Sequence, residues 1–280
     1  MRPDEGRAVE SRKTRSRIPQ RLKTIGEQHL SIDHALALLG PLFWGWFRAR
    51  AREEHEWRYP TDHSVVSIDG IDPVRVLVIG DGPAAGCGVR THQLGIAGHL
   101  AGHLAVLSHR GVVVTVAAAP AASARSTRAG LKDLDLDGYD SIVLMLAATD
   151  AFCFTPRRSW RRDMTALVQA ITSTDATSVF VTSTASLQVA RWLSRFARCL
   201  TGGHARMLDS DTARICAALY TPMIRLSAAS DLTSRTYSRW GRRIGEYVAG
   251  SLPSQVADRV TSRPPAGELA GTVRRHRPDT

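Results

Sequence analysis

VRVLVIGDGPAAGCGV, residues 74–89, decides the fold. Val74–Ile79 is an apolar run rich in β-branched residues, the pattern of a strand buried on both faces. It opens into Gly80-Asp81-Gly82-Pro83-Ala84-Ala85-Gly86, a loop of small residues of the kind a buried strand delivers to a functional site. Outward from this stretch, apolar runs alternate with helical periodicities. Further strands are predicted over Val112–Val116, Ile142–Leu146, Val179–Val181 and Met223–Leu226. Leu94, Ala97, Leu100, Leu104 and Leu107 recur at helical spacing, with Gly111 as the stop. Helices are also predicted over 131–136, 163–171, 187–199, 203–219 and 237–248. This alternation predicts an α/β fold, a three-layer α/β/α sandwich around a five-stranded parallel sheet.

The flanks read differently. Residues 1–30 are polar and basic, and residues 253–280 form a second polar tail; disorder is expected in both. Residues 31–58 read as an amphipathic helix capped by Ser31 or Asp33. Its apolar run, Ala35 to Phe47, has thirteen residues, whereas a membrane span needs about 20. Leu36, Leu39, Leu42, Phe43 and Phe47 are expected to dock on the domain, with peripheral membrane contact through residues 35–47 as the alternative. Tyr59–Pro73 reads as a linker, and 74–252 as the folded domain. The polar N-terminus does not read as a signal peptide, so a cytoplasmic location is expected.

Composition narrows the function classes. At 43% apolar residues the chain suits a globular protein. A net charge of +11 favours anionic partners, yet part of the excess lies in the tails and no nucleic-acid motif accompanies it. Cys87, Cys153, Cys199 and Cys216 form no C-x-x-C pair and no disulfide framework. His99 and His103 stand four apart without the glutamate of a zinc helix, and are expected on the solvent side. Asp133, Asp135 and Asp137 imitate the start of a calcium loop, but its twelfth position is Leu144. No metal is expected. Arg157, Arg158, Arg161 and Arg162 read as a solvated helix face, or as a face for a phosphorylated or acidic ligand.

The glycine loop has two readings. Gly80-x-Gly82-x-x-Ala85 satisfies the dinucleotide pattern of a strand, a turn and a helix. That site needs an acid at the end of the second strand, where Val116-Ala117-Ala118-Ala119 stands instead. No cofactor is therefore expected, and a flavin- or dinucleotide-binding protein remains the third functional reading.

The second reading spans Val74 to about Ala249. There the chain resembles the SGNH (GDSL-type) hydrolases, particularly the actinobacterial-type members. Their first block, Gly-Asp-Ser followed by small residues, corresponds to VIGDGPAAGCGV, with Asp81 kept and Gly82 at the serine. Their oxyanion-hole glycine, usually within Gly-x-Thr, corresponds to Ala124, with Ser126 at the threonine. Gly-x-Asn-Asp becomes Ala147-Ala148-Thr149-Asp150. A W-x-x-D-x-x-x-L helix survives as Trp160, Asp163 and Leu167. In the last block, ASDLTSRTYSRW keeps Asp231, Tyr237 and Trp240 without the His-Pro pair. Asp231 aligns either with the aspartate or, counted back from Tyr237, with the histidine; no histidine follows until His276.

The resemblance implies a nucleophilic serine, a histidine base, an orienting aspartate and an oxyanion hole of two amides and an asparagine. Here Gly82 has no nucleophilic atom and Thr149 is too short to replace the asparagine amide. Ala124 still offers a backbone N–H. Cys87 and Cys153 have no adjacent histidine to activate them. The expected function is that of a non-catalytic binding or regulatory protein, taking a small acyl or carbohydrate ligand or a protein partner. The alternative is an active acyl-ester hydrolase or acyltransferase with relocated residues.

Overall fold

The computed structural model describes residues 58–253 apart from 175, 177 and 185–193, together with residues 42 and 45. The tails 1–30 and 254–280 and nearly all of 31–57 lie outside the described residues. Leu42 and Gly45 are helical and Leu42 is exposed; Leu36, Leu39, Phe43 and Phe47 of the expected docking face lie outside the described residues.

The strands are β1 (Val65–Ile68), β2 (Val74–Gly80), β3 (Val112–Ala118), β4 (Ser141–Met145), β5 (Ser178–Thr182) and β6 (Met223–Ile224). The helices are α1 (Ile96–Ser108), α2 (Ala124–Gly130), α3 (Ala148–Phe152), α4 (Arg157–Thr172), α5 (Arg195–Ala218) and α6 (Ser234–Ser251). Strand order is β1-β3-β2-β4-β5-β6. The sheet therefore has six strands rather than the expected five. Five are parallel, and β1 pairs antiparallel with β3, Val65 facing Thr115. β1 lies in the stretch read as a linker. At four residues on a sheet edge, with only Val66 fully buried, it carries too little pattern to stand out.

The centre of the sheet behaves as its composition requires. In β2 every residue but Arg75 is buried, because both faces are covered. Leu77, Ile79, Ile142 and Leu144 face a core built with Trp160, Met164 and Leu167 of α4 and Leu208 of α5. Val76, Val78, Val114 and Val143 face the other core, with Leu100 and Leu104 of α1 and Tyr237, Trp240 and Ile244 of α6. The result is a three-layer α/β/α sandwich. α1 and α6 approach so closely that a Cβ on Gly241 would stand 2.8 Å from the Leu100 amide nitrogen.

Several helices differ from expectation. α5 runs unbroken through Gly202 and Gly203, where two helices were expected, and its burial on one face overrides the local cost of glycine. Residues 187–193 of the expected first helix lie outside the described residues. α4 starts six residues before the expected 163, since its arginines are polar but helical. Of the expected helix 131–136 only Leu131–Asp133 forms a 3-10 turn, following α2. Leu94 and Leu107 are exposed, while Ala97, Leu100 and Leu104 carry the buried face of α1. Among the described residues, no helix is long and apolar enough to cross a membrane.

Candidate functional site

From β2 the chain crosses to β3 on one side, then returns past β2 to β4 on the other. The carboxyl ends of β2 and β4 thus flank a topological switch point, where open α/β sheets form their crevice. A small opening lies there. Asp81, Met145, Ala148, Ser183, Thr184 and Trp240 are among its lining residues.

Asp81 is the polar centre of this crevice. Its amide donates to the Met145 carbonyl (3.1 Å), and its Oδ2 accepts the Thr149 N–H (3.0 Å). Burial pushes its pKa up to about 7, and the neighbouring Asp150 charge adds to the rise. Asp150 is also buried and also raised, first by burial and then by Asp163. Its Oδ2 accepts the Ala124 N–H (2.9 Å) and its Oδ1 the Thr155 hydroxyl (2.7 Å).

Asp81, Ala124, Thr149 and Asp150 are therefore brought together. The expectation that Ala124 keeps a usable N–H is corrected: its donor is already engaged by Asp150, and an amide held by a carboxylate is not available to an oxyanion. Ser123 caps α2 beside it, its hydroxyl accepting the Ser126 amide while Ser126 reaches back to the Ser123 amide. Ala147, where the resemblance places glycine, has φ 107°, in the region that favours glycine.

Gly82 sits one residue beyond Asp81. A Cβ built on it would stand 3.2 Å from the Tyr59 hydroxyl oxygen and 3.6 Å from the Pro120 carbonyl. Tyr59 is a site residue that sequence reasoning missed. It is 23 positions upstream, in the expected linker, and no local pattern points to it.

Asp231 is exposed and accepts the hydroxyls of Thr233 (3.3 Å) and Thr236 (3.1 Å) at the entrance of α6. It thus serves its own helix entrance rather than an imidazole. Its segment nonetheless borders the first loop. Gly88 lies against the Leu232 carbonyl, and the Tyr237 hydroxyl donates to the Cys87 carbonyl (2.6 Å). Thr184, also unforeseen, donates both its amide and its hydroxyl to Asp209.

The other candidates resolve as follows. The loop after β2 forms turns over 82–88, and α1 begins only at Ile96. It therefore lacks the helix N-terminus that the dinucleotide reading requires. His99 and His103 are half-buried beside α6, with Nε2 atoms 2.8 Å from Ser234 Oγ and 3.5 Å from Ser238 Oγ. Among the described residues no cluster of histidine, cysteine and acidic side chains is arranged to hold a metal. Part of the arginine run neutralises buried carboxylates instead of forming a plain solvated face: Arg157 grips Asp211 through two bonds (2.8 and 2.7 Å), and Arg162 and Arg128 meet Asp163. Burial pushes the thiols of Cys87 and Cys153 up to about 12, which suppresses the thiolate that nucleophilic attack requires.

By sequence, no family model and no curated protein matches the chain. By structure, it has an SGNH (GDSL-type) hydrolase-like fold. A lipase/acylhydrolase from Enterococcus faecalis superposes with a TM-score of 0.53 at 17% identity, over 64% of this chain and 97% of that one. The M. smegmatis aryl esterase gives 0.52 at 16% identity, over 64% and 100%. A carbohydrate acetylesterase from Sinorhizobium meliloti gives 0.50 at 14%, also over 64% and 100%.

Proposed function

We propose that this chain uses an esterase-like scaffold as a non-catalytic binding or regulatory protein. The observation that carries this reading is at position 82. Glycine supplies no nucleophile there, and a phenol oxygen lies 3.2 Å from where a side chain would begin. The surrounding chemistry agrees, since the Ala124 amide is engaged by Asp150 and Asp231 accepts the hydroxyls of Thr233 and Thr236 at its own helix entrance. The ligand class favoured by the neighbouring fold is a small acyl or carbohydrate compound, with a protein partner as the other possibility. Turnover of short-chain p-nitrophenyl esters tests the reading: the purified protein should not exceed a heat-killed control.

One observation favours a second reading, hydrolysis by relocated residues. Ser234 Oγ lies 2.8 Å from His99 Nε2, the spacing of a nucleophile and its base. Burial first, and then the neighbouring His103, lowers the His99 pKa, which favours the neutral ring that can accept a proton. Ester turnover abolished by Ser234→Ala would establish this reading in place of the first.

A further inference from the structure

Residues Arg58–Asp62 lie across the first loop and are tied to it at each end and in the middle. The Arg58 carbonyl accepts the Gly88 N–H (2.8 Å). The Tyr59 hydroxyl stands over Gly82. Pro60 packs on Gly86, where a Cβ would stand 2.7 Å from the proline ring. Asp62 is clasped by His92, whose amide donates to both carboxylate oxygens (3.1 and 3.0 Å) while Nδ1 lies 2.9 Å from Oδ1. Beyond the clasp the chain is anchored again, by the Ser64 carbonyl accepting the Val116 N–H (2.8 Å).

The segment contributes nothing to either hydrophobic core and forms no regular structure. Segments held by a few polar contacts open at far lower free energy than the body they cover. We propose that Arg58–Asp62 is a strap over the loop that follows β2, with the Tyr59 phenol as a plug in the place of the missing nucleophile side chain, so that a ligand reaches Gly82 only when the strap lifts. This deepens the binding reading and rests on it, because it supplies the gate of the site that reading assigns.

Two measurements on the full chain test the strap. The first is pulsed alkylation with iodoacetamide, read by mass spectrometry at Cys87 beneath the strap and at buried Cys216 as the internal control. Removing the clasp with Asp62→Ala should raise the rate at Cys87 about tenfold relative to Cys216. An unchanged ratio, or a rise shared equally by both cysteines, would overturn the proposal. The second is thermal unfolding of Gly82→Ala with and without Tyr59→Phe. Gly82 does not have the positive φ that strains other residues, so the close contact with the Tyr59 oxygen is what opposes a side chain there. Gly82→Ala should lower the midpoint beside Tyr59 and lower it clearly less beside phenylalanine. Additive losses would show that Tyr59 is not the plug. Neither measurement reads ester turnover, so failure of the binding reading would appear separately, as turnover by the unmodified protein.

Discussion

Asp150 accepts the backbone N–H of Ala124 at 2.9 Å, across 26 residues of sequence. The bond joins the entrance of α2 to α3, and Thr155 occupies the other carboxylate oxygen. Asp150→Ala leaves both donors without their acceptor in a buried place and should cost about 2 kcal/mol. Asp150→Asn retains one acceptor oxygen and should cost less. Urea denaturation of the three proteins checks the order.

Asp81 gives stability a pH dependence of definite sign. Its pKa is raised from 3.8 to about 7, first by burial. Between those values the folded chain keeps a proton that the unfolded chain has released. Stability contributed by this group is complete below about pH 4, falls as pH rises towards 7, and then levels. Asp81→Asn cannot ionise, and its side-chain oxygen still accepts the Thr149 amide. Melting midpoints at pH 5 and pH 8 should differ less in this variant than in the unmodified protein. Equal differences would contradict the assignment.

Ala147 adopts φ 107° at the N-cap of α3. Ala147→Gly relieves that strain and should stabilise the chain by about 1 kcal/mol, although glycine also raises the entropy of the unfolded state. A rise in the thermal midpoint is the expected result.

Gly241 marks the contact of α1 with α6. Gly241→Ala would drive a methyl group to within 2.8 Å of the Leu100 amide nitrogen and 2.9 Å of His99. The helices must separate to accept it, at a cost of roughly 1–3 kcal/mol by thermal unfolding.

How far the sequence is legible depends on how locally each feature is written. β2 stands out because burial on both faces demands a continuous apolar run, and the alternation after it defines the sandwich. β1 does not, since one edge strand of four residues needs only a single buried valine. Gly82, Thr149 and Asp231 are found by block spacing, and Gly82 and Thr149 gather with Asp81 at the crevice. Their partners are not legible. Nothing in the spacing shows Asp150 engaging Ala124, Tyr59 standing over Gly82, or Thr184 pairing with Asp209, because each pairing is made by the tertiary fold. Asp231 is legible as a position but not in its role, which its neighbouring threonines determine.

The most direct test of the central claim is intact-mass spectrometry after exposure to an alkyl fluorophosphonate, which reports whether any serine is activated. The unmodified protein should show no adduct, since Gly82 offers no oxygen. Gly82→Ser should also remain unlabelled, because a serine without a base is a poor nucleophile at neutral pH. A stoichiometric adduct on the unmodified protein, mapped to any serine, would contradict the account and show that the scaffold still performs acyl chemistry.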